Sequence, residues 1–335
     1  MNGSYSIDMF DVNLGDLIVL ELGAPNGRKI SIIIDGGCKD AAEKTLPLIQ
    51  AYHGNNTCVV ISTHPDNDHM GGLPTIIEAL KPVEVYVNNP LNFITRQALM
   101  QNAAVLETAE RDRLRAAIER TENTVVSSSK VGAAIKDVFA SDSYVWNGWK
   151  ISFLNPNKEI YELLWGTREG LKELYAEKVV TKSDELRRRR LSVLDDGTDA
   201  THMNNTSVIT LVEGYGKKLL FTGDAGMYAL YAAAEYADLR NLDFFDCPHH
   251  GSRRNLNTAI IKHLKPQVTF VSTPKEHDSL PGNEVLATLQ QHGGHVFTTK
   301  HHSSMCLSWN CQTYRYGYDP IRPIPLLLDV AIVRT

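Results

Sequence analysis

The residues whose side chains are most suited to chemistry lie between positions 64 and 69, where the chain reads His-Pro-Asp-Asn-Asp-His. Four of these side chains are imidazoles or carboxylates, the groups that bind divalent metals in proteins: His64, Asp66, Asp68 and His69. A lone aspartate here would be interpreted more simply as a helix N-cap. Four such groups between an apolar strand and the turn Gly71-Gly72 indicate a metal site instead.

Two later segments deliver similar groups from the ends of apolar runs. Asp224 follows Leu-Leu-Phe-Thr-Gly, and the pair His249-His250 follows Phe-Phe-Asp-Cys-Pro. Taken alone, each is weak, because strand-Gly-Asp turns and surface histidines are common. Adjacent side chains of an extended chain point in opposite directions. We therefore expect one histidine to be a ligand, assigned to His250, and the other to orient a ligand or transfer a proton.

A carboxylate near the start of the chain fits a supporting role. Asp35 ends the apolar run Ile32–Ile34 and is followed by two glycines. Carboxylates often hydrogen-bond the second nitrogen of a metal-binding imidazole and fix its orientation. Asp35 is predicted to orient one of the histidines in this way.

Short apolar runs separated by turns surround these motifs. In the first third of the chain they predict strands at Asp16–Leu22, Lys29–Ile34, Thr57–Ser62 and Val83–Val87. In the last third they predict strands at Ser207–Glu213, Lys218–Thr222, Phe244–Cys247, Gln267–Ser272 and His295–Thr299. Helical spacing occurs between them, at Asp40–Tyr52, Thr75–Leu80, Ala225–Arg240 and Leu256–Leu264. This alternation predicts an α/β or α+β fold.

The segment 88–200 has a different pattern. Two long stretches have helical spacing and a hairpin lies between them: Thr95–Arg120, Lys158–Leu194 and Tyr144–Leu154. We interpret 88–200 as a largely helical insertion near the mouth of the site, within a single domain spanning 1–335. The run Arg187–Arg190 fits a solvated helix face better than a phosphate-contacting patch.

Composition sets broad limits on function. The chain has 335 residues, 43% hydrophobic and 22% charged, with a formal net charge of −5, so no global positive field draws it to nucleic acid. The N-terminus has no signal-peptide pattern, and no apolar run is long enough to span a bilayer. Five scattered cysteines form no disulfide framework. We expect a cytoplasmic protein without a membrane partner.

In their order and spacing, these motifs resemble the metallo-β-lactamase superfamily, whose central motif is HxHxDH. Within it, the chain is most similar to the hydrolase domain of bacterial DNA-internalisation (competence) proteins and their soluble relatives. The segments that match are Phe10–Asp16, Ile34–Gly37, His64–Leu73, Asn204–Ser207, Thr222–Asp224, His249–Ser252 and, more loosely, Val271–Thr273, Asn283–Leu289 and Gly294–Val296. The resemblance implies a four-layer αββα sandwich with metal at one edge of its two sheets.

The resemblance also suggests a mechanism with two divalent ions, Zn²⁺ or Mn²⁺, bridged by Asp224 and a water. The ligands would form two groups, one of His64, Asp66 and either His249 or His250, the other of Asp68 and His69. The activated water would attack phosphorus, and the remaining histidine would protonate the leaving oxygen. Asp68, His249 and His250 are thus the predicted catalytic residues. The substrate would contain phosphate, as nucleic acids and nucleotides do.

Three positions depart from the family pattern. Asp66 replaces the second histidine of HxHxDH, which favours harder ions such as Mn²⁺. Where the superfamily often has another histidine, this chain offers His202, Asn204 and Asn205, and the ligand among them stays open. A His-Pro pair of the competence-like group reads Leu280-Pro281 here, with His277 displaced.

Three functions therefore compete. The first is a phosphodiesterase or nuclease, which the likeness to the competence-protein group favours. The second is a carboxylic ester, thioester or lactam hydrolase, because one fold supports many chemistries. The third is a regulatory or binding module with a degraded metal site, supported by the departure at Asn204. The motif histidines and Asp224 favour an enzyme over this third function.

Overall fold

The computed structural model describes residues 3–175 and 202–311, together with residues 315, 319 and 320. The predicted run Arg187–Arg190 and the rest of 176–201 lie outside the described residues. The described strands are β1 (Ser4–Met9), β2 (Ile18–Gly23), β3 (Lys29–Ile34), β4 (Thr57–Ile61), β5 (Glu84–Tyr86), β6 (Ala134–Lys136), β7 (Ser143–Trp146), β8 (Trp149–Asn155), β9 (Ile209–Gly214), β10 (Lys217–Phe221), β11 (Phe244–Asp246), β12 (Val268–Val271), β13 (His295–Thr298), β14 (Met305–Trp309) and β15 (Asp319–Pro320).

These strands form two mixed sheets. The first has the order β15-β14-β1-β2-β3-β4-β5-β6, and the second has the order β13-β12-β11-β10-β9-β8-β7. In the first sheet, β3 to β6 are parallel. In the second sheet, β10 to β13 are parallel. The carboxyl ends of parallel strands meet at one edge of a sheet, where ligands commonly bind in open α/β sheets.

Alternation of side chains along the strands builds the layers. In β2, Leu20 and Leu22 belong to a buried core shared by the two sheets, whereas Val19 faces the opposite side. Strand β10 repeats the pattern, with Phe221 in the shared core and Leu220 on the outer face. Successive side chains of a strand point to opposite faces, so each sheet has an inner and an outer apolar surface.

Helices cover both outer surfaces. The described helices are α1 (Lys39–His53), α2 (Asn67–Met70), α3 (Leu73–Leu80), α4 (Arg96–Asn102), α5 (Thr108–Lys130), α6 (Lys158–Gly166), α7 (Arg168–Tyr175), α8 (His202–Asn205), α9 (Met227–Tyr236), α10 (Thr258–Leu264), α11 (Asn283–His292) and α12 (Thr299–His302). Helices α1 and α3 pack on the first sheet, and α9, α10 and α11 pack on the second. The predicted four-layer αββα arrangement is confirmed. Among the described residues, no helix has the length and apolar composition needed to cross a membrane.

The described part of the segment 88–200 combines helices with strands. Helices α4 to α7 contribute to a separate apolar cluster that includes Leu114, Tyr161 and Trp165. Strand β6 extends the first sheet, and the predicted hairpin forms β7 and β8 of the second. The predicted helix Thr95–Arg120 is instead two helices, separated by a short 3₁₀ turn and extended backbone at Leu106.

Candidate metal centre

The predicted metal-binding groups meet where strands of the two sheets end. His64 follows β4 in the first sheet, whereas Asp224 follows β10 and His249-His250 follow β11 in the second. Asp35 follows β3 beside β4. The structure thus brings together side chains that lie up to 215 positions apart in the sequence, and it places them at the seam between the sheets.

Asp224 lies at the centre of this cluster. Its Oδ1 is 3.2 Å from Nε2 of His69 and 3.7 Å from Nε2 of His250. Its Oδ2 is 3.8 Å from Nε2 of His64 and 3.6 Å from Nε2 of His249. Each carboxylate oxygen therefore faces two imidazoles, and the two oxygens face different pairs.

The remaining motif carboxylates divide in the same way. Oδ2 of Asp66 is 3.7 Å from Nε2 of His64. Oδ2 of Asp68 is 3.7 Å from Nε2 of His250 and 4.0 Å from Nε2 of His69. Two groups of donors result, and Asp224 is shared between them. The first group comprises His64, Asp66 and His249, and the second comprises Asp68, His69 and His250.

Asp35 determines which nitrogen of two imidazoles faces the cluster. Its Oδ2 accepts hydrogen bonds from Nδ1 of His69 at 2.8 Å and from the Thr63 hydroxyl at 2.5 Å. Because that hydroxyl donates its one hydrogen to Asp35, the 3.0 Å contact of Thr63 Oγ1 with Nδ1 of His64 requires the imidazole to donate. Both histidines therefore direct Nε2 toward Asp224. The hydrogen bond between Asp35 and a motif histidine confirms the sequence prediction.

The adjacent histidines both face the cluster, contrary to the expectation from an extended chain. His249 and His250 have φ of 49° and 56°, in the left-handed region, so they do not alternate as strand residues do. Nδ1 of His250 donates to the Ser272 carbonyl oxygen at 3.0 Å. Nδ1 of His249 is 3.0 Å from Oδ1 of Asn255. In both rings Nε2 is left to face Asp224.

The buried polar atoms of this cluster indicate that the donor set fits a divalent cation. Nε2 of His64, His69 and His250 and Oδ1 of Asp224 are buried without a hydrogen-bond partner among the described residues. Leaving such atoms unsatisfied costs about 1–3 kcal/mol each. Imidazole and carboxylate donors bind divalent transition metals, and several triads of these residues have ligand atoms within 4.8 Å of one another.

The histidines and carboxylates of the cluster shift one another's pKa values. Burial lowers the pKa of His69, but the carboxylates of Asp224 and Asp35 outweigh it and raise this pKa well above its usual value. Burial also opposes protonation of His250, yet Asp224 and Asp68 raise its pKa to about 8. Burial raises the pKa of Asp224, whereas the surrounding histidines hold it well below the usual range. A cation that binds Nε2 must therefore displace protons.

Two buried carboxylates beneath the cluster were not anticipated as site residues. Asp16 has Oδ2 3.8 Å from Nδ1 of His69 and Oδ1 3.7 Å from Nδ1 of His250. Asp246, on β11, accepts from the backbone N–H of Thr222 at 3.3 Å. Burial raises the pKa of both carboxyls. Asp16 lies just before β2, which is antiparallel to β3, so the start of β2 lies beside the end of β3. This pairing could have indicated that Asp16 lies near Asp35 at the site.

The three open positions have different environments. The Asn204 amide is 3.1 Å from Nδ1 of His249, so it contacts a candidate ligand. Asn205 accepts from the backbone N–H of Ala229 at 3.3 Å. The side chain of His202 lies outside the described residues. His277, which lies near the position of the family's His-Pro pair, is a separate case: it is exposed and accepts hydrogen bonds from the backbone N–H groups of Ser279 and Leu280.

Comparisons with known proteins place the chain in a family. The metallo-beta-lactamase superfamily model matches residues 19–275. A sequence comparison with curated proteins gives no match. Among solved structures, the fold is similar to the metallo-beta-lactamase fold protein YhfI from Bacillus subtilis, with 9% identity, a TM-score of 0.43, and coverage of 90% of this chain and 99% of that one. It is also similar to Zn²⁺-bound PqqB from Methylobacterium extorquens, with 10% identity, a TM-score of 0.44 and the same coverage. Because the family model matches residues 19–275, which is most of the chain, this protein belongs to the metallo-β-lactamase superfamily.

Proposed function

We propose that this protein is a two-metal phosphodiesterase or nuclease. The observation that carries the proposal is the position of Asp224, whose two oxygens face two separate groups of imidazole and carboxylate donors. A carboxylate shared in this way can bridge two ions. Pairs of ions suit phosphodiester cleavage because they act on both the attacking and the leaving oxygen.

The geometry suggests which residues would hold each ion. His64, Asp66 and His249 would hold the first, and Asp68, His69 and His250 would hold the second, with Asp224 shared. When bound, such ions supply a nucleophilic hydroxide near neutral pH and positive charge for the phosphate oxygens. Zn²⁺ and Mn²⁺ both suit these donors.

The protein's own groups orient and tune this centre. Asp35 accepts from His69 directly and from His64 through Thr63, and so keeps Nε2 of both imidazoles directed at Asp224, where the ions would bind. The Ser272 carbonyl does the same for His250. These acceptors hold the three imidazoles in the orientation that an ion would require.

The assignment of a phosphate-containing substrate, nucleic acid or nucleotide, has two supports. The motifs resemble the hydrolase domain of competence proteins, and the ligand set contains three aspartates, whose oxygens suit the harder ions common in phosphoryl chemistry. Hydrolysis of a carboxylic ester, thioester or lactam is the competing activity on this fold. A regulatory module with a degraded site is the third candidate, since His202, Asn204 and Asn205 occupy the neighbourhood where the family often has a histidine.

An activity panel tests these candidates together. The chelator-stripped protein, reconstituted with Mn²⁺ or Zn²⁺, is offered bis(p-nitrophenyl) phosphate, single- and double-stranded DNA, RNA, a thioester and a β-lactam. We expect turnover of the phosphodiesters. A variant with His64, Asp66, Asp68 and His69 all replaced by alanine should lose both metal and turnover, whereas His263→Ala, at an exposed position, should retain both. Turnover of the thioester or lactam alone would contradict the proposal.

We also propose that the protein works in the reducing cytoplasm. Cys38, Cys58, Cys247 and Cys311 are free thiols, and disulfides are rare in that compartment. Fractionation of native cells should recover the protein in the cytosolic fraction, and recovery mainly from washed membranes would contradict this location.

A further inference from the structure

Among the described cations of the insertion, Arg120 is distinguished by its contact with the loop that carries the candidate ligands. It is half-buried on α5. Its Nε donates a hydrogen bond of 2.6 Å to the carbonyl oxygen of Pro65. Pro65 stands between the candidate ligands His64 and Asp66. The guanidinium is therefore anchored directly on the loop that would hold the first ion.

The anchor uses Nε and leaves Nη1 and Nη2 for another group. Within the described part of the chain, no carboxylate pairs with this guanidinium at 4.0 Å or less. Two other arginines of the region are paired, Arg96 with Glu122 and Arg115 with Asp112. A guanidinium stays charged and offers a planar fork of N–H donors that matches phosphate oxygens.

The path of α5 keeps Arg120 at the rim of the site. The next residue, Thr121, is buried, with its hydroxyl 3.8 Å from Sδ of Met70 in α2. One turn earlier, Ala117 belongs to the apolar cluster of the insertion. Helix α5 thus crosses the metal loop at residue 120. Across the seam, Arg253 and Arg254 are exposed just after the histidine pair, so positive charge occurs on both sides of the site.

We propose that the Arg120 guanidinium binds a phosphate oxygen of the substrate, an inference that rests on the proposed function. The phosphate is the one that reacts or the next one along a nucleic acid, and both present the same anionic oxygens. Arg120 contacts substrate from the insertion while its Nε holds the guanidinium beside the ligands. The insertion thereby contributes a cation to substrate binding and no metal ligand among its described residues.

The test compares Arg120→Gln, which removes the charge, with Arg120→Lys, which keeps it. Arg115→Gln is the matched control, an exposed arginine on the same helix. For each metal-loaded protein we measure metal content, KM and kcat with bis(p-nitrophenyl) phosphate and with oligothymidylate, and oligothymidylate affinity by fluorescence anisotropy. A lost charge-assisted hydrogen bond should weaken binding about tenfold or more.

We expect Arg120→Gln to raise KM and Kd about tenfold or more with metal content and kcat within about twofold, and Arg120→Lys to lose much less. A KM change with both substrates identifies the reacting phosphate, and a change with oligothymidylate alone identifies a neighbouring one. Equal losses in both variants, or loss of metal, would show that Arg120 only anchors the loop. A wild-type protein that binds oligothymidylate but turns over neither substrate contradicts the proposed function, while its anisotropy still tests Arg120. A wild-type protein that neither binds oligothymidylate nor turns over bis(p-nitrophenyl) phosphate overturns both.

Discussion

Asp66 contributes an oxygen donor to the first group, beside the imidazoles of His64 and His249. Because carboxylate oxygen suits harder ions than imidazole does, we predict that Mn²⁺ supports phosphodiester turnover at least as well as Zn²⁺. Asp66→His should shift the preference toward Zn²⁺. The measurement is turnover of the stripped enzyme after each ion is added back separately. Recovery with Zn²⁺ alone, unchanged in Asp66→His, would contradict this argument.

His249 and His250 have similar distances to Asp224 despite their different exposure. Nε2 of His249 is 3.6 Å from this carboxylate and Nε2 of His250 is 3.7 Å from it. We predict that His249→Ala and His250→Ala each lower the bound metal by about one ion per chain, measured by elemental analysis after dialysis. His263→Ala is the control. If His249→Ala kept its full metal content and lost only turnover, His249 would be a proton donor instead.

The raised pKa values of two imidazoles predict how metal affinity depends on pH. Despite burial, Asp224 and Asp68 raise the pKa of His250 to about 8, and Asp224 and Asp35 raise the pKa of His69 well above its usual value. A divalent ion requires neutral imidazole, so protons compete with metal below these pKa values. The affinity should fall at least about tenfold per pH unit as pH drops from 8 to 6. Competition with a chelator of known pH dependence measures this, and a flat profile would contradict it.

At the scale of elements, β10 ends in a turn that only glycine fits. Gly223 has φ of 51°, and a Cβ there would lie 2.8 Å from the Thr63 side chain of the opposite sheet. Thr63 connects Asp35 to His64. We predict that Gly223→Ala destabilises the fold by about 1–2 kcal/mol from backbone strain and also lowers metal content, because Thr63 must move.

The control for this substitution is Gly132→Ala. Gly132 is also left-handed, with φ of 76°, but a Cβ there meets nothing within 4 Å. This variant should show a similar backbone cost in urea unfolding while metal content remains at the wild-type level. Equal metal content in both variants would indicate that Thr63 tolerates the displacement and that its contact with His64 is dispensable.

The elements also show how far the sequence could predict the site. The motif at 64–69 could be predicted from the sequence because its groups lie close together and follow a strand that is apolar on both faces. The alternation of strands and helices predicted only an α/β or α+β fold, and the αββα layers followed from the family resemblance. The direction of the His249 side chain could not be predicted from the sequence, because it depends on two successive residues with left-handed backbone. Asn255, which contacts this imidazole, gave no local signal, because its role depends on a tertiary contact.

For the whole molecule, the candidate ligands come from both sheets, so a bound metal would connect the two halves of the sandwich. A ligand that binds only the folded state adds about 4 kcal/mol of stability at a thousand times its Kd. We predict that added Mn²⁺ or Zn²⁺ raises the midpoint of thermal unfolding and that a chelator reverses the gain. Differential scanning fluorimetry measures this. Asp224→Asn should show little response, and an equal response in this variant would mean that the ions bind elsewhere.

The pairing of β1 has a consequence for synthesis on the ribosome. Strand β1 (Ser4–Met9) lies between β2 and β14 (Met305–Trp309), antiparallel to both. The ribosome therefore synthesises β2, one neighbour of β1 in the sheet, almost at once, and β14, the other neighbour, about 300 residues later. During that interval the outer edge of β1 has unpaired backbone groups, which other chains can engage. A nascent chain should thus depend on chaperones until β14 emerges, and its metal centre should assemble only after the histidine pair has left the exit tunnel.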